Sequence, residues 1–339
     1  MMSLCRAAAV LTVGWALAGC GGGNADSQQA LADGCYSGAA VPASMRTAVE
    51  AEAGRFYAAV RAGDAAGVLA LTAQAVKNQG GEERFLTSIQ RIIAALGLPE
   101  DFSTASVAYV KFGPGNPYTQ RVQCTVPGTE DPLELLLTNH PEQVSTVQSG
   151  KVGGEVFFYS TLWFKEAEGW RLATFFAKPA TLYGKDWQAY AEQASSERLA
   201  KHQRNAALLY NVALDLVVPT AWVKPPEVAE LQREQRRIMV TGLPKGKLDA
   251  WPVEPDTVFV REVGYGIRSD ALGLVVAYNA RGAVADTTFQ KADAERIRAY
   301  MATKYPEYAG VFGWLTLRAV DPEQPESEWT RAYRLEPGS

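Results

Sequence analysis

The sequence predicts an α+β protein with two folded regions, because its hydrophobic period changes twice along the chain. Over residues 45–96 apolar side chains recur at helical spacing, and over residues 103–178 they alternate as they do in strands. From about residue 183 onward, helical segments again precede alternating ones. We therefore expect helices packed against a sheet in each half of the chain.

Local start and stop signals bound the first helices. Ser44 is a suitable N-cap for a helix over residues 45–61, and Gly63 ends that helix. Asp64 then caps a short second helix. A third helix is predicted over residues 82–96, where a glycine follows the last apolar position.

The strands of the first region follow its helices. Residues 103–112 and 118–126 are predicted as strands around a Gly- and Pro-rich turn, and a further strand covers residues 133–138. Two longer strands, residues 155–165 and 170–178, flank a short turn that ends in glycine, which indicates a hairpin.

Two stretches of this region resemble the NTF2-like (SnoaL-like) family. Residues 53–64, Ala-Gly-Arg-Phe-Tyr-Ala-Ala-Val-Arg-Ala-Gly-Asp, look like the opening of such domains. Residues 156–164, with the Gly-Trp-Arg-Leu of residues 169–172, look like their final hairpin. The resemblance implies a cone of three helices on a curved antiparallel sheet over residues 41–182. It implies no particular activity.

Residues 183–339 are predicted to form a helical spacer followed by a two-layer α+β domain. One long helix runs from Asp186 to about Val218 and stops at Pro219, and Pro225 opens another helix. A Pro-rich crossing precedes the remaining segments. These have the order β-β-α-β-β, at residues 257–267, 271–279, 291–304, 311–320 and 328–335.

The N-terminus resembles the export signal of bacterial lipoprotein precursors. Arg6 precedes an apolar run over residues 7–18, which is too short to cross a membrane as a helix. The run ends in Leu17-Ala18-Gly19-Cys20, which resembles a lipobox. The resemblance implies removal of residues 1–19 and acylation of Cys20. Cleavage by an ordinary signal peptidase, which would leave a plain thiol, is the alternative.

Acylation of Cys20 would make the lipid bilayer the first partner of this protein. Two or three acyl chains on one residue give lasting attachment, whereas one chain binds reversibly. Residues 20–40 then form a flexible tether. Gly21 stands where an Asp commonly signals inner-membrane retention, so the resemblance implies an outer-membrane location, with the folded part facing the periplasm.

Two cysteines remain after the leader is removed and Cys20 is acylated. Disulfides persist in oxidising compartments, so we predict that Cys35 and Cys124 bridge. The closed loop of about 90 residues corresponds to about 4.5 kcal/mol in the chain-entropy description. The alternative is a pair of free or buried thiols.

Composition and motifs argue against several functional classes. The formal net charge is −4 and no basic stripe stands out, so nucleic acid is not an expected partner. The two histidines, His140 and His202, lie in different predicted regions without metal-ligand spacing, so no metal is expected. We find no catalytic motif, and we expect no cofactor. The sequence favours an envelope lipoprotein with a non-enzymatic binding or assembly role.

The rival hypothesis places a ligand or an isomerase- or hydrolase-like proton transfer in the pocket that NTF2-like domains can hold. The candidate residues there are Tyr57, Glu134, Glu155 and Tyr159. A buried carboxylate would take the proton while a tyrosine steadies the enolate. The alternative is that Tyr57 belongs to the core and both glutamates face solvent.

Aromatic side chains crowd both faces of the long hairpin, so each face needs a cover. One face should pack on the helices. The C-terminal region, a second copy joined through the sheet, another protein or a ligand would cover the other. The aromatic residues are Phe157, Phe158, Tyr159, Trp163, Phe164, Trp170, Phe175 and Phe176.

Overall fold

Helices and mainly antiparallel sheets make up the described part of the computed structural model, which confirms the α+β class. The leader, Cys20 and the turn predicted after residue 112 lie outside the described residues. The structure describes residues 34–78, 81–112, 121–137, 140–238 and 243–335.

The chain divides into two compact units, and the division is not a single cut. The first unit extends to Gly184 and also includes Val217–Ala229, whereas the second comprises Lys185–Leu216 and resumes at Glu230. The chain therefore leaves the first unit, builds two helices of the second, and returns to the first before it completes the second.

The helices of the first unit begin and end close to the predicted boundaries. Gly63 has a left-handed φ of 65° at the end of the first helix, and the Asp64 side chain accepts from the Gly67 N–H to cap the second. These helices are α1 (Ala43–Ala62), α2 (Ala65–Ala70), α3 (Gln74–Asn78) and α4 (Glu82–Leu96).

A five-stranded antiparallel sheet forms the centre of the first unit, with strand order β1-β2-β5-β6-β7. The predicted hairpin is confirmed as its last two strands. A smaller sheet of order β3-β4-β8 lies in the same unit. The strands are β1 (Cys35–Ser37), β2 (Ser103–Lys111), β3 (Arg121–Cys124), β4 (Leu133–Leu136), β5 (Glu142–Val152), β6 (Glu155–Glu166), β7 (Gly169–Pro179) and β8 (Val223–Lys224).

The two faces of the large sheet bury separate apolar cores. Phe56 of α1 and Trp163 of β6 belong to the core beneath the helices, and both are fully buried. On the opposite face, Leu162 and Phe164 pack with residues of the small sheet such as Leu135. Alternation along the strands produces this division, because successive side chains point to opposite faces.

The segment that returns to the first unit helps to cover the second face. Val223 pairs with Leu135 and joins the core on this side. The Trp222 indole donates to the Ser145 hydroxyl at 3.0 Å, and its ring meets Phe176 edge-on. The face that the sequence analysis left without a cover is thus closed largely from within the same unit.

Strand β5, the middle strand of the large sheet, is not predicted from the sequence. Its buried residues include Gln143, Ser145 and Thr146, so no apolar alternation marks it as a strand. Inside the sheet the Thr146 hydroxyl lies 2.5 Å from that of Thr161, which also accepts from the Trp163 indole at 2.7 Å. These hydrogen bonds offset the cost of burying polar groups.

Cys35 and Cys124 lie at disulfide distance, as predicted, with their Cα atoms 5.3 Å apart. Cys124 is fully buried beside the small sheet. Because Cys35 belongs to β1 and Cys124 to β3, the bridge connects an edge strand of the large sheet to the small sheet.

The second unit contains a five-stranded sheet of order β13-β12-β11-β10-β9. Neighbouring strands are antiparallel except β11 and β12, which are parallel and joined by helix α8. The elements are α5 (Trp187–Leu199), α6 (Gln203–Val217), α7 (Glu227–Arg236), β9 (Lys245–Val253), β10 (Asp256–Ile267), β11 (Leu272–Asn279), α8 (Thr287–Lys304), β12 (Trp314–Val320) and β13 (Glu328–Arg334).

Two predictions for this unit are wrong. The single helix expected from Asp186 is two helices, because Lys201 adopts a left-handed φ of 69° between α5 and α6. The Pro-rich crossing around Trp251 is the edge strand β9, where Pro252 is tolerated because an edge strand needs fewer backbone donors.

A network of two arginines and two carboxylates joins α8 to the sheet. Asp293 is fully buried and accepts from Arg281 through both carboxylate oxygens, with one contact at 3.0 Å. Asp256 lies 2.6 Å from Arg281 and 3.2 Å from Arg296. The hydrogen bond from Arg281 lowers the pKa of Asp256, so this ion pair persists at neutral pH and is lost on acidification.

Replacing both bridging cysteines by alanine should lower the free energy of unfolding by about 2–5 kcal/mol, because the bridge restricts the unfolded chain. Denaturant unfolding of the oxidised protein and of the variant with both Cys35→Ala and Cys124→Ala measures the difference. Mass spectrometry without reduction should recover a peptide pair joining the two positions. Two alkylated free thiols would contradict the bridge.

Asp293→Ala should destabilise the protein by about 1–3 kcal/mol, because Arg281 then loses its bidentate partner in a largely buried site and keeps only the more exposed Asp256. Glu295→Gln is the matched control, since Glu295 lies on the same helix and its exposed side chain pairs with Arg298 at 3.0 Å and lies near Tyr333. The control should change stability by less than about 1 kcal/mol. Equal effects of both changes in denaturant unfolding would show that the network is not stabilising.

Candidate functional site

The four residues predicted to form a pocket in the first unit do not converge. Tyr57 and Tyr159 are both buried in the core beneath the helices. Glu134 lies on β4 and pairs with Lys224 at 3.1 Å. Glu155 begins β6, where it accepts from the Thr181 hydroxyl and from the Gly184 N–H. Neither carboxylate is hydrogen bonded to either tyrosine.

Phe102 separates the two buried tyrosines. Its ring stacks on Tyr57 with centroids 4.1 Å apart and meets Tyr159 edge-on at 5.3 Å. The Tyr159 hydroxyl donates to the Gly97 carbonyl at 3.1 Å, whereas the buried Tyr57 hydroxyl has no partner among the described residues. Burial raises the pKa of Tyr159 to about 12 and that of Tyr57 further, so both phenols stay protonated at neutral pH.

Glu52 is a buried carboxylate in this unit that the sequence analysis missed. One of its oxygens pairs with Arg55, and the other is buried without a partner among the described residues. Its position between Val49 and Phe56 on the apolar stripe of α1 is the sequence signal that could have identified it.

A small apolar crevice of about 290 Å³ lies among the helices of the first unit. It is separate from the predicted pocket residues, since none of the four lines it. Asp64 and Gln90 are its polar residues, and Asp64 is already used as a helix cap. The remaining lining residues are Ala59, Val60, Gly63, Ala65, Val68, Leu86, Ile89, Ile93 and Ala94.

The larger candidate site is an open groove of about 1010 Å³ in the second unit. Strand β10 provides most of its lining, α6 contributes three residues, and Pro244 completes it. No sequence motif predicted this site. The lining residues are Asn211, Leu214, Asp215, Pro244, Arg261, Glu262, Val263, Gly264, Tyr265, Gly266 and Ile267.

The groove lies where β9 stops pairing with β10. The last pair joins Lys245 to Glu262, and the preceding residue is Pro244, which has no backbone N–H to donate. Beyond this point Val263–Ile267 pairs with β11 and with no other described strand. One edge of β10 therefore presents backbone donors and acceptors that the described strands leave unpaired.

The polar side chains of the groove come from both sides of it. Tyr265 of β10 donates to Asp215 of α6, and burial together with this carboxylate raises the Tyr265 pKa. Arg261 lies where the register shifts between Val260 and Glu262, and one of its guanidinium nitrogens is buried without a partner among the described residues. Bulges of this kind redirect a side chain, here towards the groove.

Two glycines keep the backbone of β10 accessible in the groove. A Cβ on Gly266 would come within 2.9 Å of the Val275 side chain, so this position requires glycine. Gly264 has room for a Cβ, with Glu262 at 3.5 Å as its nearest neighbour. Glycines at alternate positions of a strand pattern were the signal in the sequence that could have indicated close approach of another backbone.

The residues that the structure describes contain no group of three or more His, Cys, Asp or Glu side chains placed to hold a metal ion. Within the same ranges, no helix has both the length and the apolar character needed to cross a bilayer. Comparisons with protein-family models, with curated proteins and with solved structures found no match to this chain.

The two buried tyrosines should respond differently to loss of the hydroxyl group. Tyr159→Phe removes the hydrogen bond to Gly97 and should cost about 0.5–1.5 kcal/mol, leaving the carbonyl unpaired. Tyr57→Phe removes a hydroxyl without a partner and should be neutral or stabilising. Denaturant unfolding measures both variants. A larger loss for Tyr57→Phe than for Tyr159→Phe would contradict the hydrogen-bond assignment.

Proposed function

We propose that this protein is a lipid-anchored component of the bacterial cell envelope with a non-enzymatic binding or assembly role. Residues 1–19 would direct export and be removed, and acylated Cys20 would attach the chain to the membrane. The resemblance of Leu17-Ala18-Gly19-Cys20 to a lipobox supports this assignment. The sorting rule at Gly21 favours the outer membrane, with the folded units in the periplasm.

The pairing of Cys35 with Cys124 is the structural observation that carries the envelope location. Disulfide bonds are stable in exported proteins and rare in reducing compartments. The bridge connects β1, which lies inside the tether predicted over residues 20–40, to the small sheet, so the free part of the tether would end before Cys35. In an exported, tethered protein, any mechanical load on the anchor would reach the folded unit at this disulfide bridge.

The first unit would serve as an NTF2-like scaffold. Its helices precede an antiparallel sheet, and the long hairpin of β6 and β7 ends that sheet, as the resemblance implies. The space between α1 and the sheet contains packed aromatic side chains, including Phe56, Tyr57 and Trp163. This filling favours a structural role for the unit over a catalytic one.

The groove of the second unit is the binding surface that we favour. Among the described residues, its lining contains no Ser, Thr, Cys, His or Lys that could act as a nucleophile, and its Tyr265 and Asp215 already bind each other. An apolar groove with a few polar groups suits recognition. The partner would be a protein, either another envelope component or a second copy of this chain.

Cys20→Ser should release the protein from the membrane fraction and abolish labelling by radioactive palmitate, because no acyl chain can then be attached. Cys5→Ser is the matched control, since Cys5 lies in the proposed leader and should leave both properties unchanged. Cell fractionation and labelling of the three forms make the comparison.

The mass of the mature wild-type protein provides an independent check on the anchor. We expect a chain that starts at Cys20 and carries the added mass of two or three acyl chains. A mature chain without a fatty-acid adduct at Cys20 would refute the lipoprotein assignment, even if Cys20→Ser changes the fractionation by blocking processing.

A further inference from the structure

The described strands leave one edge of β10 unpaired over Val263–Ile267. We propose that it pairs, antiparallel, with the same edge of a second copy of this chain, so that the two five-stranded sheets of the second units become continuous. This inference rests on the geometry of the groove and does not depend on the lipid anchor. The interaction surface consists of Gly264–Arg268 together with the groove wall on α6.

The described structure limits where the second copy can pair. Lys245 occupies the position opposite Glu262, so an incoming strand must end before that point. An antiparallel pair with its two-fold axis at Gly266 meets this condition and leaves the position opposite Val263 empty. In this register Gly266 lies opposite Gly266 of the second copy, and Gly264 lies opposite Arg268. The glycine on the axis has no side chain to hinder close approach.

The same register pairs apolar side chains on the side that faces α6. Tyr265 lies opposite Ile267 of the second copy, and the symmetry repeats the contact. Ile267, the last residue of β10, is 57% exposed in the single chain although it is a large apolar residue that lines the groove. Aromatic and β-branched residues are favourable cross-strand neighbours. The groove, with Leu214 on its wall, provides room for these side chains.

Charge complementarity supports this register on the opposite face of the strand. Residues diagonal to each other across an antiparallel pair are within reach of long side chains. Arg268 donates to Thr316 and lies over Trp314 of β12 in the single chain. In the pair it would exchange these contacts for the exposed Glu262 of the other copy, to which it is diagonal. The two-fold axis produces two such Glu–Arg contacts, and a parallel arrangement would not bring these residues together.

A cross-linking comparison tests the pairing in the full-length mature protein. A single cysteine at Ile267→Cys should be joined between copies by a short bis-maleimide several-fold more than one at Leu248→Cys. Leu248 is the matched control because it lies on the neighbouring strand β9 and is similarly exposed, at 53%. Equal yields at the two positions, at the same protein concentration, would overturn the proposal.

Charge exchange makes the test specific for the register. Glu262→Arg and Arg268→Glu, each in the Ile267→Cys background, should both lose most of the cross-linked product because like charges then face each other. Mixing the two variants should restore it, since each mismatched residue then meets an opposite charge in the other copy. Rescue by mixing also shows that both variants are folded.

Amide hydrogen exchange distinguishes a second copy from other occupants of the β10 edge. Amide hydrogen exchange over residues 263–267 should slow as protein concentration rises if a second copy pairs there. Protection that is complete at every concentration in a monomer would assign the edge to this chain's own residues and overturn the proposal. Fast exchange at every concentration, with no cross-link, would leave the edge free for a different protein and overturn it equally.

Discussion

The architecture of the first unit depends on one constraint, which is a central sheet that is apolar on both faces. Helices α1, α2 and α4 pack on one face of it, whereas Val76 of α3 belongs to the core on the other face. The second face recruits the small sheet, and its last strand is supplied by residues that come after α6. The return of Val217–Ala229 to the first unit is a consequence of this apolar surface, since leaving Leu162 and Phe164 exposed would favour aggregation.

The same constraint explains where polar residues are tolerated. Strand β5 lies between two other long strands, so its side chains are buried on both faces of the sheet. Thr146 bonds to Thr161 on the helix side, and Ser145 accepts from Trp222 on the other. Each buried hydroxyl therefore holds a side chain from a neighbouring segment in place. These directional contacts set the register of β5, which its hydrophobic pattern alone could not specify.

The parts of the fold that could be predicted are those with local signals. Asp64 and Gly63 bound helices through caps that involve near neighbours, and the hairpin around Gly169 follows from period-two alternation. Strand β5 escaped prediction because it has no apolar period. The break at Lys201 escaped because it falls at a lysine, with no glycine, asparagine or proline to mark the end of a helix. The two tyrosines of the predicted pocket lie in one core. Their position relative to Glu134 and Glu155 depends on strand pairing between distant parts of the chain, which a single sequence does not reveal. The groove could not be predicted from the sequence either, because it also depends on strand pairing between distant parts of the chain.

The groove arises from three features of β9 and β10 that act together. Pro244 ends the pairing of β9, the register shift at Arg261 turns the strand, and Gly264 and Gly266 remove side chains from the part that is left unpaired. Each feature alone would only weaken strand pairing at this edge. Together they leave an exposed edge strand, and other proteins protect such strands with charges, proline or a covering element. A short edge buries little area, so pairing through it would be weak between freely diffusing molecules. Acylation at Cys20 would confine all copies to one membrane surface and raise their effective concentration, which is the condition under which a weak contact between tethered molecules becomes populated.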